Sequence, residues 1–193
     1  VLTLYFAPGA SSMAVHIALN ETGVPFERRP ISFDRAEQHA PDYLSLNPEG
    51  KVPTLVIDAR PLTEVAAILF YLARRYPEAG LLPRDDVEAQ AQAISWMSFA
   101  ASTLHPARRR GVGHAMQVYA IADKRLGDRE WAIGDYSIAD IHLFRLYWRL
   151  VNSLDLPAGS FPSLSRHYAR MMQRPAVQRT IEFEKAIGYE LPK

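Results

Sequence analysis

Cysteine is absent from the 193 residues. That removes disulfides, thiolate metal sites and any mechanism in which the protein itself supplies a sulfur nucleophile. Long apolar runs are absent too. Nothing approaches the ~20 residues that cross a bilayer, and Val1-Leu2-Thr3-Leu4-Tyr5-Phe6 has no basic segment of the signal-peptide kind. The expectation is a cytoplasmic chain with no membrane partner, a default weakened by the start at Val1 instead of Met. Excess charge is missing as well: 22 basic against 21 acidic residues leave a net charge of +1, so no general field holds a nucleic acid. Repeats and low-complexity tracts do not occur. What remains, 48% apolar and 22% charged residues, is the composition of a folded globular protein of one large domain or two small ones.

The most informative stretch is Lys51-Val52-Pro53-Thr54-Leu55, followed by Thr63-Glu64-Val65. A proline at the first residue of a strand cannot donate to the ladder, and it leaves the backbone groups of the preceding residue open. Val52 is thereby an exposed main-chain edge, where an extended peptide can pair as an added strand. The Val52–Pro53 bond is also a candidate for the cis form. An Ala59-Arg60 turn folds residues 54–58 back on Pro61-Leu62, and Thr63 caps a helix whose positive end suits a carboxylate. Peptide backbone on one side and an anion on the other describe a small acidic peptide.

Around this stretch the pattern reads strand (2–6), helix from Ser11 or Ser12 to Thr22 with Gly23 as terminator, and a second strand (26–32) that Pro30 marks as an edge. A polar loop with one helical turn follows, then the hairpin and a helix over 64–75. Pro77, Gly80 and Pro83 punctuate a linker over 78–86. Every later periodic segment is helical: 87–104, bent or ended by Pro106; 114–126; one from Ser137, with the capping-box spacing Ser137-Ile138-Ala139-Asp140, through Leu150; and two opened by Pro162 and Pro175. The expected domains are 1–77, α/β, and 87–193, all-helical, with Trp148 in the core of the latter.

This order, with proline before the third strand, resembles the cytosolic glutathione transferases over nearly the whole chain. Leu4-Tyr5-Phe6-Ala7-Pro8-Gly9-Ala10-Ser11-Ser12 is similar to their first strand and catalytic loop, most like the bacterial beta class. Asn47-Pro48-Glu49-Gly50-Lys51-Val52-Pro53-Thr54-Leu55 with Leu62-Thr63-Glu64 is similar to the glutathione site. Gly134-Asp135-Tyr136-Ser137-Ile138-Ala139-Asp140 is similar to the capping motif of the buried sixth helix. The resemblance implies a thioredoxin-like N-terminal domain, an all-α C-terminal domain with a hydrophobic substrate pocket, and a homodimer. It implies glutathione as co-substrate, no metal, and a cis bond before Pro53. The tripeptide is expected along Val52 and Pro53, with its γ-glutamyl end at Glu64 and Val65. Two positions depart from the pattern: the usual catalytic Cys is Ser11, and the Ser that usually follows the site glutamate is Val65.

Without a cysteine the protein can only activate its ligand's thiol. Lowering a pKa of ~8.5 by roughly 2 units requires about 2.7 kcal/mol of preference for thiolate. Ser11 and Tyr5 are rival hydroxyl donors, although Ser11 also suits a plain helix cap. His105, before Pro106, stands where beta-class relatives carry a site histidine. Lys51, Arg108 and Arg109 are candidates for glutathione carboxylates or an acidic acceptor, against the ordinary reading of Arg108-Arg109-Arg110 as a solvated face. Phe6, Met13, Trp96 and Phe99 are candidates for the electrophile pocket. The expected activity is conjugation of reduced glutathione to small hydrophobic electrophiles, or peroxide reduction. The alternatives are glutathione-dependent isomerisation of a maleyl-type acid, which Ser11-Ser12 favours and Met13 disfavours, and a non-catalytic glutathione-binding or regulatory protein.

Overall fold

The computed structural model describes residues 1–191. In chain order the regular elements are β1 (Leu2–Phe6), α1 (Ser12–Thr22), β2 (Glu27–Pro30), α2 (Pro41–Leu46), β3 (Thr54–Ile57), β4 (Arg60–Thr63) and α3 (Val65–Arg75). Next come α4 (Val87–Phe99), a π-turn at Ala100–Leu104, α5 (His105–Ala107), a 3-10 turn at Arg108–Arg110, α6 (Val112–Leu126), α7 (Ile138–Val151), α8 (Pro162–Met172) and α9 (Pro175–Ile187). Contacts divide the chain into two compact units: residues 1–79 with those from 175 onward, and residues 80–174.

The first unit is thioredoxin-like, a four-stranded sheet in the order β2-β1-β3-β4. β1 runs parallel to β2 and antiparallel to β3, which is antiparallel to β4. Period-2 alternation sorts β1 between two faces. Leu2, Leu4 and Phe6 are buried, whereas Thr3 and Tyr5 are half-buried. Leu4 lies opposite Leu55, and Tyr5 opposite Thr54 on the other face. α1 is apolar from Met13 to Leu19 except for His16 and is buried there throughout, packed on α3 and α9. Such an all-round apolar helix is a core element. It stops at Gly23, whose φ of 69° a residue without Cβ adopts freely.

Three local readings need correction. Register places Ile57 opposite Arg60, so the hairpin turn is Asp58-Ala59 and not Ala59-Arg60. Both turn residues have positive φ, the pattern of a type I′ turn, whose twist matches that of the strands. Thr63 closes β4, and Glu64 holds the N-cap position of α3. The last helix, expected within the helical domain, packs instead on α1, since its buried face of Ala176, Val177, Thr180 and Glu184 meets α1. The Val52–Pro53 bond is cis.

The second unit is all helical. α7 is its centre, buried at every position except Arg149 and Val151. Its entry is a capping box: Ser137 Oγ accepts from Ala139 N at 3.2 Å, and Asp140 Oδ2 accepts from Ser137 N at 2.9 Å. Asp140 Oδ1 also accepts from Ala132 N at 2.8 Å and lies 2.9 Å from His167 Nε2. Leu81 O accepts from Ile138 N at 2.9 Å, and Leu81 and Leu82 are buried, which anchors the segment expected to be a linker. Pro106 acts earlier than a simple stop. It has no N–H for Ser102, four residues back. The chain before it widens into the π-turn, where the His105 N–H reaches Ala100 O.

Candidate functional site

Sheet topology brings three segments to one end of the sheet. β1 ends there; β3, antiparallel to it, begins there; and β4, antiparallel to β3, ends there. The loop 7–11, the Val52–Pro53 step and the Glu64–Val65 step therefore converge, and with them the N-termini of α1 and α3. Tyr5, Ser11, Lys51, Val52, Pro53, Glu64 and Val65, expected to share a site, all lie at this end.

Val52 is held from both sides. Its carbonyl accepts a hydrogen bond from Ser11 Oγ at 2.7 Å, so the main-chain edge expected to be open on both groups is open only at the N–H, which has no partner among the described residues. The preceding carbonyl, Lys51 O, accepts from Tyr43 Oη at 2.5 Å and from Asn47 Nδ2 at 2.7 Å. Burial is the main reason the Tyr43 hydroxyl has a raised pKa; it stays protonated and lies 3.0 Å from Thr54 Oγ1. These two clamps fix the plane of the Lys51–Val52 peptide and hence the direction of the Val52 N–H. The Lys51 side chain points away, exposed, with Nζ 2.7 Å from Glu49 Oε2.

Ser11 stands at the N-cap of α1 and makes no capping hydrogen bond with its side chain. The plain helix-cap reading thus does not describe its hydroxyl, which reaches across to Val52. The neighbouring Ser12, fully buried, pins the loop: its Oγ accepts from Ala7 N and donates to Ala7 O, both at 3.1 Å. A second brace comes from the far end of the chain. Glu184, fully buried on α9, accepts from Gly9 N at 2.7 Å through Oε2, and its Oε1 lies 2.8 Å from His16 Nδ1. Arg28 Nε donates to His16 Nε2 at 2.9 Å. A guanidinium only donates, so Nε2 accepts and Nδ1 carries the proton given to Glu184. The chain Arg28, His16, Glu184, Gly9 balances a buried carboxylate and holds the loop that presents Ser11. Sequence reading missed it: a glutamate 175 residues from Gly9 carries no local signal.

Tyr5, the rival donor, is half-buried with its ring 5.6 Å from that of Tyr43. Its hydroxyl makes no hydrogen bond among the described residues.

At the opposite flank Glu64 has φ 68° and ψ 121°. A residue with a Cβ in this region carries about 1–3 kcal/mol of strain, imposed here by β4 pairing before it and α3 after it. Its carboxylate is exposed and forms no ion pair among the described residues, and no side chain caps α3. Since the Ile68 N–H is the first to find a partner within the helix, at Glu64 O, the N–H groups of Val65, Ala66 and Ala67 face outward at the positive end of the helix dipole. An acceptor for an ammonium thus lies beside donors for a carboxylate.

The remaining candidates stand elsewhere. Phe6 and Met13 have no exposed surface and pack in the core of the first unit, with the Phe6 ring 5.3 Å from His16 and 6.3 Å from Phe183. Alternation along β1 turns Phe6 inward, so neither lines a pocket as expected. Trp96 is likewise core in the helical unit: 2% exposed, its Nε1 donates to Ala132 O at 3.0 Å. Phe99 is half-buried, edge-on to Trp96. His105 is exposed at the start of α5, Arg108 half-buried and Arg109 exposed in the following turn, all in the helical unit. Trp148 is buried in α7, as its pattern implied. Among the described residues no group of three or more His, Cys, Asp or Glu is arranged to hold a metal ion, and no helix is long and apolar enough to cross a membrane.

Comparison with known proteins gives matches over both units. The glutathione S-transferase N-terminal domain family matches residues 1–74, and the glutathione S-transferase C-terminal domain family matches residues 91–175. The chain is 33% identical to glutathione S-transferase GST-4.5 of Xanthomonas campestris pv. campestris, over 95% of this chain and 98% of that one. It is similar to a solved glutathione transferase homolog from Sulfitobacter with bound glutathione, at 35% identity and a TM-score of 0.81 over 95% and 98% of the two chains. A sphingomonad glutathione S-transferase complexed with glutathione aligns with a TM-score of 0.83 and 33% identity over 95% and 98%.

Proposed function

The chain belongs to the glutathione S-transferase family, and from that premise we propose that it conjugates reduced glutathione to small hydrophobic electrophiles, with peroxide reduction as a related use of the same thiolate. The tripeptide lies along Val52 as an added strand, its main-chain carbonyl taking the Val52 N–H. Its γ-glutamyl carboxylate takes the N–H groups at the start of α3, Val65 first, and its ammonium takes Glu64. Lys51, in the first unit, remains a candidate for the glycyl carboxylate. The protein acts in the cytoplasm as a homodimer, in detoxification.

The observation that carries this reading is the 2.7 Å hydrogen bond from Ser11 Oγ to Val52 O. It supports the reading because a hydroxyl and the N-terminal end of α1 lie beside Val52, the main-chain step along which the tripeptide is proposed to lie. Rotating from Val52 O to sulfur, the Ser11 hydroxyl donates to the thiolate, and a hydrogen bond to a charged acceptor contributes about 1.5–3 kcal/mol. With an aryl halide, sulfur bonds to the ring carbon and halide departs with the bonding pair; the thiol proton has already gone to solvent. Catalysis consists of thiolate stabilisation and placement of two reactants.

The test is conjugation of 1-chloro-2,4-dinitrobenzene by site variants. Ser11→Ala is expected to lower kcat about 10- to 100-fold, with Tyr5→Phe within about threefold of the parent. The reverse order would assign the thiol to Tyr5. Retention on immobilised glutathione without turnover of aryl halides, epoxides, hydroperoxides or maleyl acids would make the chain a binding protein.

A further inference from the structure

Beyond α9 the chain stays with the first unit. Gly188, at φ 104°, takes its N–H to Glu184 O at 3.2 Å and ends the helix, and the residues after it run against the loop that follows β2. Glu190 grips that loop. Its Oε1 and Oε2 accept from Ser32 Oγ at 3.0 and 2.9 Å, and Oε2 also accepts from Asp34 N at 3.1 Å. The Asp34 N–H foremost, then the Ser32 hydroxyl, hold the Glu190 carboxyl below its ordinary pKa, and bonds to an ionised acceptor are the stronger kind. Ser32 is itself fixed: buried, it donates its N–H to Glu37 Oε2 at 2.8 Å, and its Oγ accepts from Arg35 N at 3.2 Å.

The latch joins two apolar side chains. Phe33 lies between the two residues that Glu190 holds, and Leu191 follows Glu190. Both are half-buried, and with Tyr5 they pack against a cluster of Ala7, Ala10, Ile31, Tyr43 and Val52. The five beneath are each 8% exposed or less. This patch adjoins the proposed place of the reacting sulfur, because Ala10 precedes Ser11 and Val52 takes the Ser11 hydrogen bond. All of it belongs to the first unit. The cover over it is lightly fastened, since residues 188–191 form no helix or strand of their own. One carboxylate holds it to the loop.

We propose that residues 188–191 are a strap, latched by Glu190 to Ser32 and Asp34, that lays Leu191 over the apolar patch beside Ser11 and so favours single-ring electrophiles over fused-ring ones. This deepens the conjugating function above and rests on that reading. Leu191 sets the size that fits, and Glu190 is the positioning residue that holds it there.

Three measurements on the full chain test the strap. N-phenyl-1-naphthylamine, a neutral probe that fluoresces in apolar surroundings, reads the patch without any turnover. Leu191→Ala and Glu190→Ala should each bind it about fivefold more tightly than the parent, while Lys185→Gln, an exposed change on α9, leaves its affinity unchanged. Amide hydrogen exchange reads the latch: the Asp34 N–H should exchange about tenfold more slowly in the parent and in Leu191→Ala than in Glu190→Ala. In conjugation, 1-chloro-2,4-dinitronaphthalene and 1-chloro-2,4-dinitrobenzene share one chemistry and differ by a fused ring. The ratio of their kcat/KM values, naphthalene over benzene, should rise about fivefold in both strap variants. An Asp34 N–H that exchanges in the parent at the rate of an unprotected amide overturns the latch, and no variant need fold for that reading. Unchanged probe affinity in Leu191→Ala overturns the cover, as does an equal gain in Lys185→Gln. Tighter probe binding with an unchanged ratio of the two halides overturns the size preference. Tighter probe binding with neither halide conjugated by any of the proteins defeats the enzymatic reading and leaves the strap standing.

Discussion

At the scale of single residues, two positions of the candidate site, Ser11 and Val65, have measurable consequences. Ser11 brings a hydroxyl and no thiol to the end of β1, and that hydroxyl donates to Val52 O. Val65, with 8% of its surface exposed, offers the incoming carboxylate its backbone N–H and no hydroxyl. Val65→Ser should therefore tighten reduced glutathione about fivefold in calorimetry, one added hydrogen bond of about 1 kcal/mol. An unchanged affinity would mean that the γ-glutamyl carboxylate lies elsewhere. Most residues of this site were readable in the sequence because each sits in a contiguous motif: Ser11 after Pro8-Gly9, Val52 before Pro53, Glu64 after the hairpin. Phe6, Met13 and Trp96 misled because an aromatic or sulfur-bearing side chain reads the same whether it lines a cavity or fills a core. Burial alone separates the two.

At the scale of elements, boundaries depended on backbone conformation that composition did not display. The hairpin holds Asp58 at φ 46° and Ala59 at φ 67°. Glycine is the preferred second residue of such a turn, and alanine there carries a steric cost. The sequence reading shifted the turn by one residue because Asp-Ala lacks the Asp-Gly signature. Ala59→Gly is expected to stabilise the protein by about 0.5–1 kcal/mol, seen as a higher urea midpoint with unchanged slope; a lower midpoint would show that the turn is not of this type. By contrast Ser137-Ile138-Ala139-Asp140 announced the start of α7 correctly, since a capping box is a local device with a fixed spacing. Pro106 announced a break, but the π-turn before it follows from a missing N–H three-dimensionally and has no residue signature of its own.

At the scale of the whole molecule, the first unit is completed by the last helix. α9 carries Glu184 to Gly9 and His16, and Thr180 Oγ1 to Asn20 Nδ2 at 2.8 Å. Order of elements could not show this, because the chain returns to its first unit only after passing through the second. Removing the Glu184 carboxylate leaves two buried donors, Gly9 N–H and His16 Nδ1–H, without an acceptor, at a combined cost of about 2–5 kcal/mol. Glu184→Ala should lower the unfolding free energy by that amount in urea melts and loosen the loop that presents Ser11. A loss below about 1 kcal/mol would show that the brace is incidental.

The central claim is that Ser11 lends a hydrogen bond to a sulfur that belongs to the ligand. The most direct measurement is a pH titration of the thiolate absorbance of glutathione bound to the parent protein, to Ser11→Ala and to Tyr5→Phe. The account predicts an apparent pKa roughly 2 units below the ordinary thiol value of ~8.5 for the parent and for Tyr5→Phe, and a return most of the way to that value for Ser11→Ala. Superimposable titrations of the parent and Ser11→Ala would contradict it.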